Sequence, residues 1–188
     1  MNRREALSAT ALLLGGTIIG SGAFLSGCKP TSKKDGLFSV DDITFLDDVG
    51  ETILPATASS PGAKEAKIGE FMKIIVTDCY PEQEQKIFLE GILKLNDACQ
   101  KKYSEDFMDA SAREKHDLLV AIDAEAKEFL KNKPKELPDH YFTMMKQLTI
   151  WGYFSSESGA TRALRYVAVP GRFDGCIPYK NGDRAWAL

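Results

Sequence analysis

The sequence predicts an all-α fold, an irregular bundle of about five or six helices followed by an irregular C-terminal tail. Apolar residues recur at three- and four-residue steps in successive segments, which is the period of helices buried on one face. Proline, glycine and serine separate these segments. No run of alternating apolar and polar residues is bounded by hairpin turns. These observations favour a helical bundle over a sheet fold.

The first helix is predicted to begin at a capping box, Ser39 with Asp42, and to end at Pro55. Residues 56–63 are rich in Ser, Thr, Pro and Gly and are expected to form a loop. A second helix is expected from Lys64 to Tyr80. Its apolar positions at helical spacing are Ile68, Phe71, Met72, Ile75 and Val76.

Two further helices follow. Pro81 is expected to start the third helix, with Glu82 and Glu84 favourably placed at its N-terminus. Its predicted buried side is Phe88, Ile92, Leu95 and Cys99. Ser111 with Glu114 forms a second capping box at the start of the fourth helix. The apolar stripe of that helix is Leu118, Leu119, Ile122, Ala126, Phe129 and Leu130.

The last part of the chain changes from helix to irregular structure. Asp139 is expected to cap a fifth helix, and a short sixth helix is expected over 160–166. The apolar positions of the fifth are Phe142, Met145, Leu148, Ile150 and Trp151. From Val169 onward the chain is too rich in Pro and Gly for a helix and too aromatic for a disordered tail. We expect this tail to lie along a surface, either of its own bundle or of a partner.

The N-terminal residues have the layout of a twin-arginine export signal, because Arg3 and Arg4 directly precede the uncharged stretch 6–27. That stretch is long enough to span a bilayer, so an uncleaved transmembrane anchor is the alternative. Its many small residues weaken it as a permanent span. Residues 25–28, Leu-Ser-Gly-Cys, resemble a bacterial lipoprotein box, in which Cys28 receives the lipid.

These signals divide the chain into three parts. Residues 1–27 are expected to be the signal peptide and residues 28–38 a lipidated, flexible tether. Residues 39–188 are expected to form the helical domain, a length that suits one domain with a proper core. The formal net charge of −3 is spread along the chain, so we expect no nucleic-acid partner.

Three cysteines follow Cys28, and an odd number leaves one thiol free or paired with another chain. An exported chain can form disulfides. Cys176 in the tail is expected to bond either Cys79 or a cysteine of a partner. A bond between Cys79 and Cys99 is disfavoured, because the two lie near the ends of successive helices that are far apart if antiparallel.

The sequence contains little material for catalysis. His116 and His140 are both expected on the surface, and the aspartates of the first helix, Asp41, Asp42, Asp47 and Asp48, are expected to form its polar face. Zinc-protease, phosphate-loop, dinucleotide and haem-attachment motifs are absent. We therefore expect no catalytic residue, no cofactor site and no metal site in this chain.

Aromatic and arginine residues are dense towards the C-terminus. One interpretation places Trp151 and Phe154 in the core of the last long helix, with Gly159 as its terminator. The other is that some of these residues form a protein interface, where aromatics and arginines are enriched. The candidates are Trp151, Tyr153, Phe154, Arg162, Arg165, Arg172 and Phe173.

Three segments after the twin arginines carry a family resemblance. They are Glu51-Thr52-Ile53-Leu54-Pro55, Ser60-Pro61-Gly62-Ala63 and Leu148-x-x-Trp151-Gly152-Tyr153-Phe154-x-x-x-x-Gly159. In this order they resemble the gluconate 2-dehydrogenase subunit 3 family, from Phe38 to Trp186. The resemblance implies a non-catalytic small subunit that exports, stabilises and attaches to the membrane a large FAD-dependent dehydrogenase of the glucose-methanol-choline type.

The resemblance also implies the surroundings of the chain. FAD would lie in the large subunit, which oxidises a sugar, sugar acid or glycoside, and a cytochrome c subunit would carry electrons onward. The complex would sit on the periplasmic side of a bacterial membrane, held through the lipid on this chain. The family offers no catalytic residue to transfer. The alternative is a free-standing lipoprotein that binds a small ligand, or acts as a hydrolase, at the membrane surface.

Overall fold

The last long helix lies at the centre of the fold and contacts the other four helices. The computed structural model describes residues 36–169, 171–172 and 175–187, and every element below lies in the unit that starts at Phe38. The helices are α1 Val40–Ile53, α2 Ile68–Cys79, α3 Glu82–Tyr103, α4 Ala112–Asn132 and α5 Tyr141–Ser155. The prediction of an all-α bundle is confirmed.

Helix α5 is buried on most of its circumference, and its composition explains why. Lys146 is its one charged residue, and its ammonium group reaches Asp123 of α4 at 2.7 Å. Thr149 is wholly buried, but its hydroxyl donates to the Met145 carbonyl one turn earlier. Its polar group is therefore satisfied without a partner from another helix. The buried residues of α5 are Tyr141, Phe142, Met144, Met145, Leu148, Thr149, Gly152 and Tyr153.

Both predicted capping boxes are present. The Ser39 hydroxyl accepts from the Asp42 amide at 3.1 Å, and the Asp42 carboxylate accepts from the Ser39 amide at 2.8 Å. Ser111 and Glu114 make the same reciprocal pair at the start of α4. Each box satisfies two amide groups that helix geometry leaves without partners, and such a cap is worth about 1 kcal/mol.

The second helix differs from the prediction of one continuous helix from Lys64. The structure has a 3₁₀ turn, Ala63–Ala66, followed by Lys67 in the left-handed region at φ 54°, and α2 begins only at Ile68. A left-handed residue interrupts the helical hydrogen-bond series. Lys67 is an unusual residue for this conformation, so the sequence offers no sign of the break.

The buried face of α4 and the sixth helix are both shorter than predicted. Phe129 and Leu130 are 40% and 50% exposed, because the buried face of α4 ends at Ala126. The sixth helix is a single π-helical turn, Gly159–Ala163, and ends where Leu164 adopts an extended conformation. In both places the apolar spacing continues past the point where neighbouring helices cover it.

The aspartates of α1 do more than form a polar face. Asp47 accepts a hydrogen bond from the Gly69 amide at the start of α2, at 2.8 Å, and burial raises the pKa of this carboxyl. Asp48 pairs with Lys115 of α4 at 2.6 Å, and that lysine is largely buried. These two side chains therefore tie α1 to α2 and to α4.

The three cysteines of the described chain are free thiols. Cys99 is wholly buried on α3, as predicted for that face, and burial raises its pKa. Cys79 and Cys176 are exposed. The Cys79–Cys176 bond is not formed in the structure and stays a prediction.

The loop between α1 and the 3₁₀ turn is closed by one carboxylate. Glu51 accepts from the Ala56 amide through Oε1 and from the Lys64 amide through Oε2, both at 2.9 Å. Gly62 lies directly against this carboxylate, and a Cβ there would stand 2.1 Å from Oε2. A side chain at position 62 would therefore push the carboxylate off the amides that it binds. We call this arrangement the Glu51 clamp.

We expect Glu51→Gln and Gly62→Ala each to lower the free energy of unfolding by about 1–3 kcal/mol, since each leaves backbone amides without their charged acceptor. Because both substitutions break the same clamp, the double variant should cost about 1 kcal/mol less than the sum. Urea denaturation of the four proteins measures the cycle. Glu105→Gln, at an exposed site, is the matched control, and simple additivity would contradict the clamp.

His140, and not Asp139, caps α5. Its Nδ1 accepts from the Phe142 amide at 3.3 Å, and its largely buried ring packs on Tyr141 with centroids 4.3 Å apart. The prediction of a surface histidine was wrong, because the His140 ring packs against Phe129 of α4 and Tyr141 of α5. Burial lowers the pKa of His140, and Lys94 acts in the same direction while Glu125 opposes it.

The buried cap predicts a pH dependence of stability. The unfolded chain binds a proton at His140 more tightly than the folded chain, so stability is fully present above the ordinary pKa of about 6.5 and falls as the pH drops below it. His140→Asn retains a capping oxygen but cannot titrate. We expect this variant to lose the component of stability that varies between about pH 6.5 and 5, whereas exposed His116→Asn should keep it. Thermal unfolding across this range decides, and equal slopes in both variants would contradict the prediction.

Candidate partner-binding surface

Trp151 and Phe154 lie on the outside of the central helix. Their exposed fractions are 56% and 38%, and Ile150 beside them is 41% exposed. The interpretation that places Trp151 and Phe154 in the core is therefore wrong. We call Ile150, Trp151 and Phe154 the aromatic stripe of α5.

The indole of Trp151 is supported from α2. Phe71 packs against it edge to face, with ring centroids 5.3 Å apart. This contact requires Gly152, because a Cβ at that position would come within 2.6 Å of the Phe71 ring. Helical spacing predicted Phe71 only as part of an apolar helix face. The glycine beside Trp151 was the available sign that another side chain lies close to the helix backbone here.

Tyr153, which was predicted as an interface residue, is buried and does not belong to the aromatic stripe. It is 3% exposed, and its hydroxyl donates to the Pro61 carbonyl at 2.6 Å. A buried tyrosine needs such a partner for its hydroxyl. Tyr153 thus holds the loop after α1 against the end of α5, next to the Glu51 clamp.

The aromatic stripe has the composition of an interface core. No charged side chain occurs between Gln147 and Ser155, and the exposed residues there fall on one side of successive helical turns. Protein interfaces are depleted of charge at their centre and enriched in Trp, Tyr and Phe. A tryptophan held edge to face by a neighbouring ring is also well ordered before binding, which limits the entropy lost on association.

A groove adjoins the stripe, and Phe154 belongs to both. Its volume is about 710 Å³, and its walls come from the loop after α1, the end of α5 and the C-terminal tail. Its lining includes Leu54, Pro55, Pro61, Phe154, Leu164 and Arg184. Thr57, Ser59 and Ser60 add hydroxyl groups to a lining whose exposed area is more apolar than polar, and Arg184 adds one guanidinium group.

The tail is fastened to the bundle at this groove. Arg184 donates to the carbonyls of Ser59 and Arg162, at 2.8 and 2.6 Å. The tail also forms a parallel bridge between Arg165 and Trp186. The tail was expected to lie along a surface, and at these contacts that surface belongs to the chain itself.

Two of the predicted interface arginines pair with carboxylates of this chain. Arg162 pairs with Glu65, and Arg165 lies over Trp186 at 5.0 Å while it pairs with Asp183 at 3.6 Å. Neither belongs to the aromatic stripe. Arg172 is exposed in the tail. The remaining predicted residues, Arg3, Arg4, Cys28 and Phe173, lie outside the described residues.

Neither a cluster of metal-holding side chains nor a helix able to span a membrane is found among the described residues. Within 36–169, 171–172 and 175–187, no three His, Cys, Asp or Glu side chains come together in a way that could hold a metal ion. None of the helices in that part of the chain combines the length and hydropathy that a bilayer crossing needs.

Comparison with known proteins identifies the family. Residues 41–171 match the family described as gluconate 2-dehydrogenase subunit 3, which is well over half of the chain. No curated protein and no solved structure matches at a significant level. The matched span contains the Glu51 clamp, the aromatic stripe and most of the groove. The chain therefore belongs to the gluconate 2-dehydrogenase subunit 3 family, an accessory subunit of a dehydrogenase complex.

Proposed function

We propose that this chain is a non-catalytic subunit that binds, exports and anchors a large FAD-dependent dehydrogenase of the glucose-methanol-choline type. The observation that carries the proposal is the exposure of an uncharged aromatic stripe on an otherwise buried helix of a dehydrogenase-subunit family. The large subunit oxidises a sugar, sugar acid or glycoside. A cytochrome c subunit takes the electrons onward.

Each part of the proposal has its own support. FAD is assigned to the large subunit because the family is named for a subunit of a dehydrogenase, and the family resemblance implies a large flavoprotein subunit. The residues before the folded unit supply the address, Arg3 and Arg4 for twin-arginine export and Cys28 for the lipid. An FAD-loaded partner would have to cross folded, and the twin-arginine route carries folded cargo.

The aromatic stripe is proposed as the docking site for the large subunit. An exposed Trp beside an exposed Phe leaves apolar area in water that a matching partner surface would remove from it. The hydrophobic gain is concentrated on Trp151, the most exposed member of the stripe. Residues of this kind carry most of the binding energy in protein interfaces.

We expect Trp151→Ala to weaken the complex by about 2 kcal/mol or more, which is about thirtyfold in Kd. Leu93→Ala on α3 is the matched control, since Leu93 is 66% exposed and lies on another helix. The tagged full-length chain is isolated from a membrane extract, and the co-purified subunit is quantified by its flavin absorption. Equal recovery with both variants would contradict the docking site. A stable colourless monomer from the wild type would contradict the proposed function itself.

The proposed export and lipidation residues, Arg3, Arg4 and Cys28, predict where in the cell the complex is found. Replacing Arg3 and Arg4 together by Lys should leave both subunits inside the cytoplasm, because the large subunit has no signal of its own. Cys28→Ser should instead permit export but release the complex from the membrane, since no lipid remains. Cell fractionation with flavin detection measures both. Unchanged export of the large subunit in the double-lysine variant would rule out the escort role.

A further inference from the structure

We propose that the groove beside the aromatic stripe is a second docking site, which takes an extended apolar segment of the large subunit with a carboxylate that binds Arg184. The proposal rests on the proposed function, because it names what the partner inserts next to the stripe. The groove's walls are mainly apolar. Phe154 makes it continuous with the stripe, so one partner surface can cover both.

The charge of Arg184 specifies the ligand chemistry. The neighbouring arginines, Arg162 and Arg165, already have carboxylate partners in Glu65 and Asp183. Arg184 contacts only the carbonyl oxygens of Ser59 and Arg162, and it has no carboxylate partner among the described residues. Carbonyl oxygens orient a guanidinium group but do not neutralise it. Arg184 can therefore still bind an anionic group.

The geometry of the guanidinium leaves room for that anion. A guanidinium group has five N–H donors, and the two carbonyl bonds of Arg184 use two of them. Three donors remain, enough for the paired hydrogen bonds that arginine forms with a carboxylate. The two carbonyl bonds also fix the group at the groove, so a ligand would meet a donor that is already positioned.

The wall opposite the tail is also held in place. The Thr57 amide donates to the Ser60 carbonyl at 2.9 Å, and the Thr57 hydroxyl accepts from the Ser60 amide at 3.1 Å. The Tyr153 hydroxyl also donates to the Pro61 carbonyl, and the Glu51 clamp binds the Ala56 amide. The loop is therefore held by hydrogen bonds from both α5 and α1. A groove between two fixed walls suits an extended segment better than a bulky folded one. Its volume of about 710 Å³ corresponds to a short stretch of peptide.

The test uses the native two-subunit complex and three variants of the full chain. Ala163→Trp fills the groove, with exposed Ala124→Trp on α4 as its matched control. Arg184→Gln removes the charge, and Arg184→Lys keeps it without the planar fork. Kd for the purified large subunit is measured at several salt concentrations. In parallel, a photo-crosslinking phenylalanine replaces Ser59, which lines the groove, and Ala124 as control.

We expect Ala163→Trp and Arg184→Gln each to raise Kd about tenfold or more, with Arg184→Lys between Arg184→Gln and wild type. Only Arg184→Gln should flatten the salt dependence of Kd, an effect that mere loosening of the tail would not produce. The crosslink from position 59 should fall on one peptide of the large subunit that contains Asp or Glu, and position 124 should give none.

Three results would overturn the inference. One is an unchanged Kd and salt slope in Ala163→Trp and Arg184→Gln while Trp151→Ala still breaks the complex, which leaves the proposed function standing. The second is a crosslinked peptide without an acidic residue. The third is an amphiphilic carboxylate bound to the isolated chain in native mass spectrometry, since the groove would then be a lipid site. Failure of the wild type to bind any flavoprotein would overturn both proposals together.

Discussion

The burial of α5 between four other helices is the constraint on which the rest of the structure depends. A helix in that position can hold almost no charge, because an unpaired charge in the interior is costly, and α5 has only Lys146, which reaches Asp123. The side of α5 that its neighbours leave open is also uncharged, although burial does not require this of Ile150, Trp151 and Phe154. The aromatic stripe thus continues the apolar composition of the core onto the surface of α5.

The Glu51 clamp and Tyr153 fix the loop that forms one wall of the groove at the end of α5. Both bind backbone groups of the loop after α1, one at its two ends and the other at Pro61. The loop therefore stands as a fixed wall beside Phe154, although it has no regular secondary structure. Arg184 closes the opposite side from a position 125 residues away in the chain. A binding surface on a small helical bundle is in this way built mainly from irregular segments, with helices as their support.

The starts of α1, α3 and α4 were predictable because their signals are local. The capping boxes at Ser39 and Ser111 involve residues three positions apart, and Pro81 marks the start of α3 by its own backbone chemistry. The buried faces of α3 and α4 were also largely predictable from helical spacing. The exposed side of α5 was not, because this helix is apolar nearly all round and periodicity cannot then distinguish its faces. The contacts of Arg184 and the role of Gly62 depend on distant parts of the chain, which no local pattern encodes.

The burial of Cys99 makes the reactivity of its thiol depend on whether the chain is folded. Thiol oxidation and exchange proceed through an accessible thiolate, and burial denies this cysteine both access and ionisation. Inside the bundle it behaves as a small hydrophobic side chain. A chain that folds while still in a reducing compartment therefore presents an oxidant with two of its three described cysteines, Cys79 and Cys176. A chain that arrived unfolded would present all three, and mispairing would compete with the native bundle.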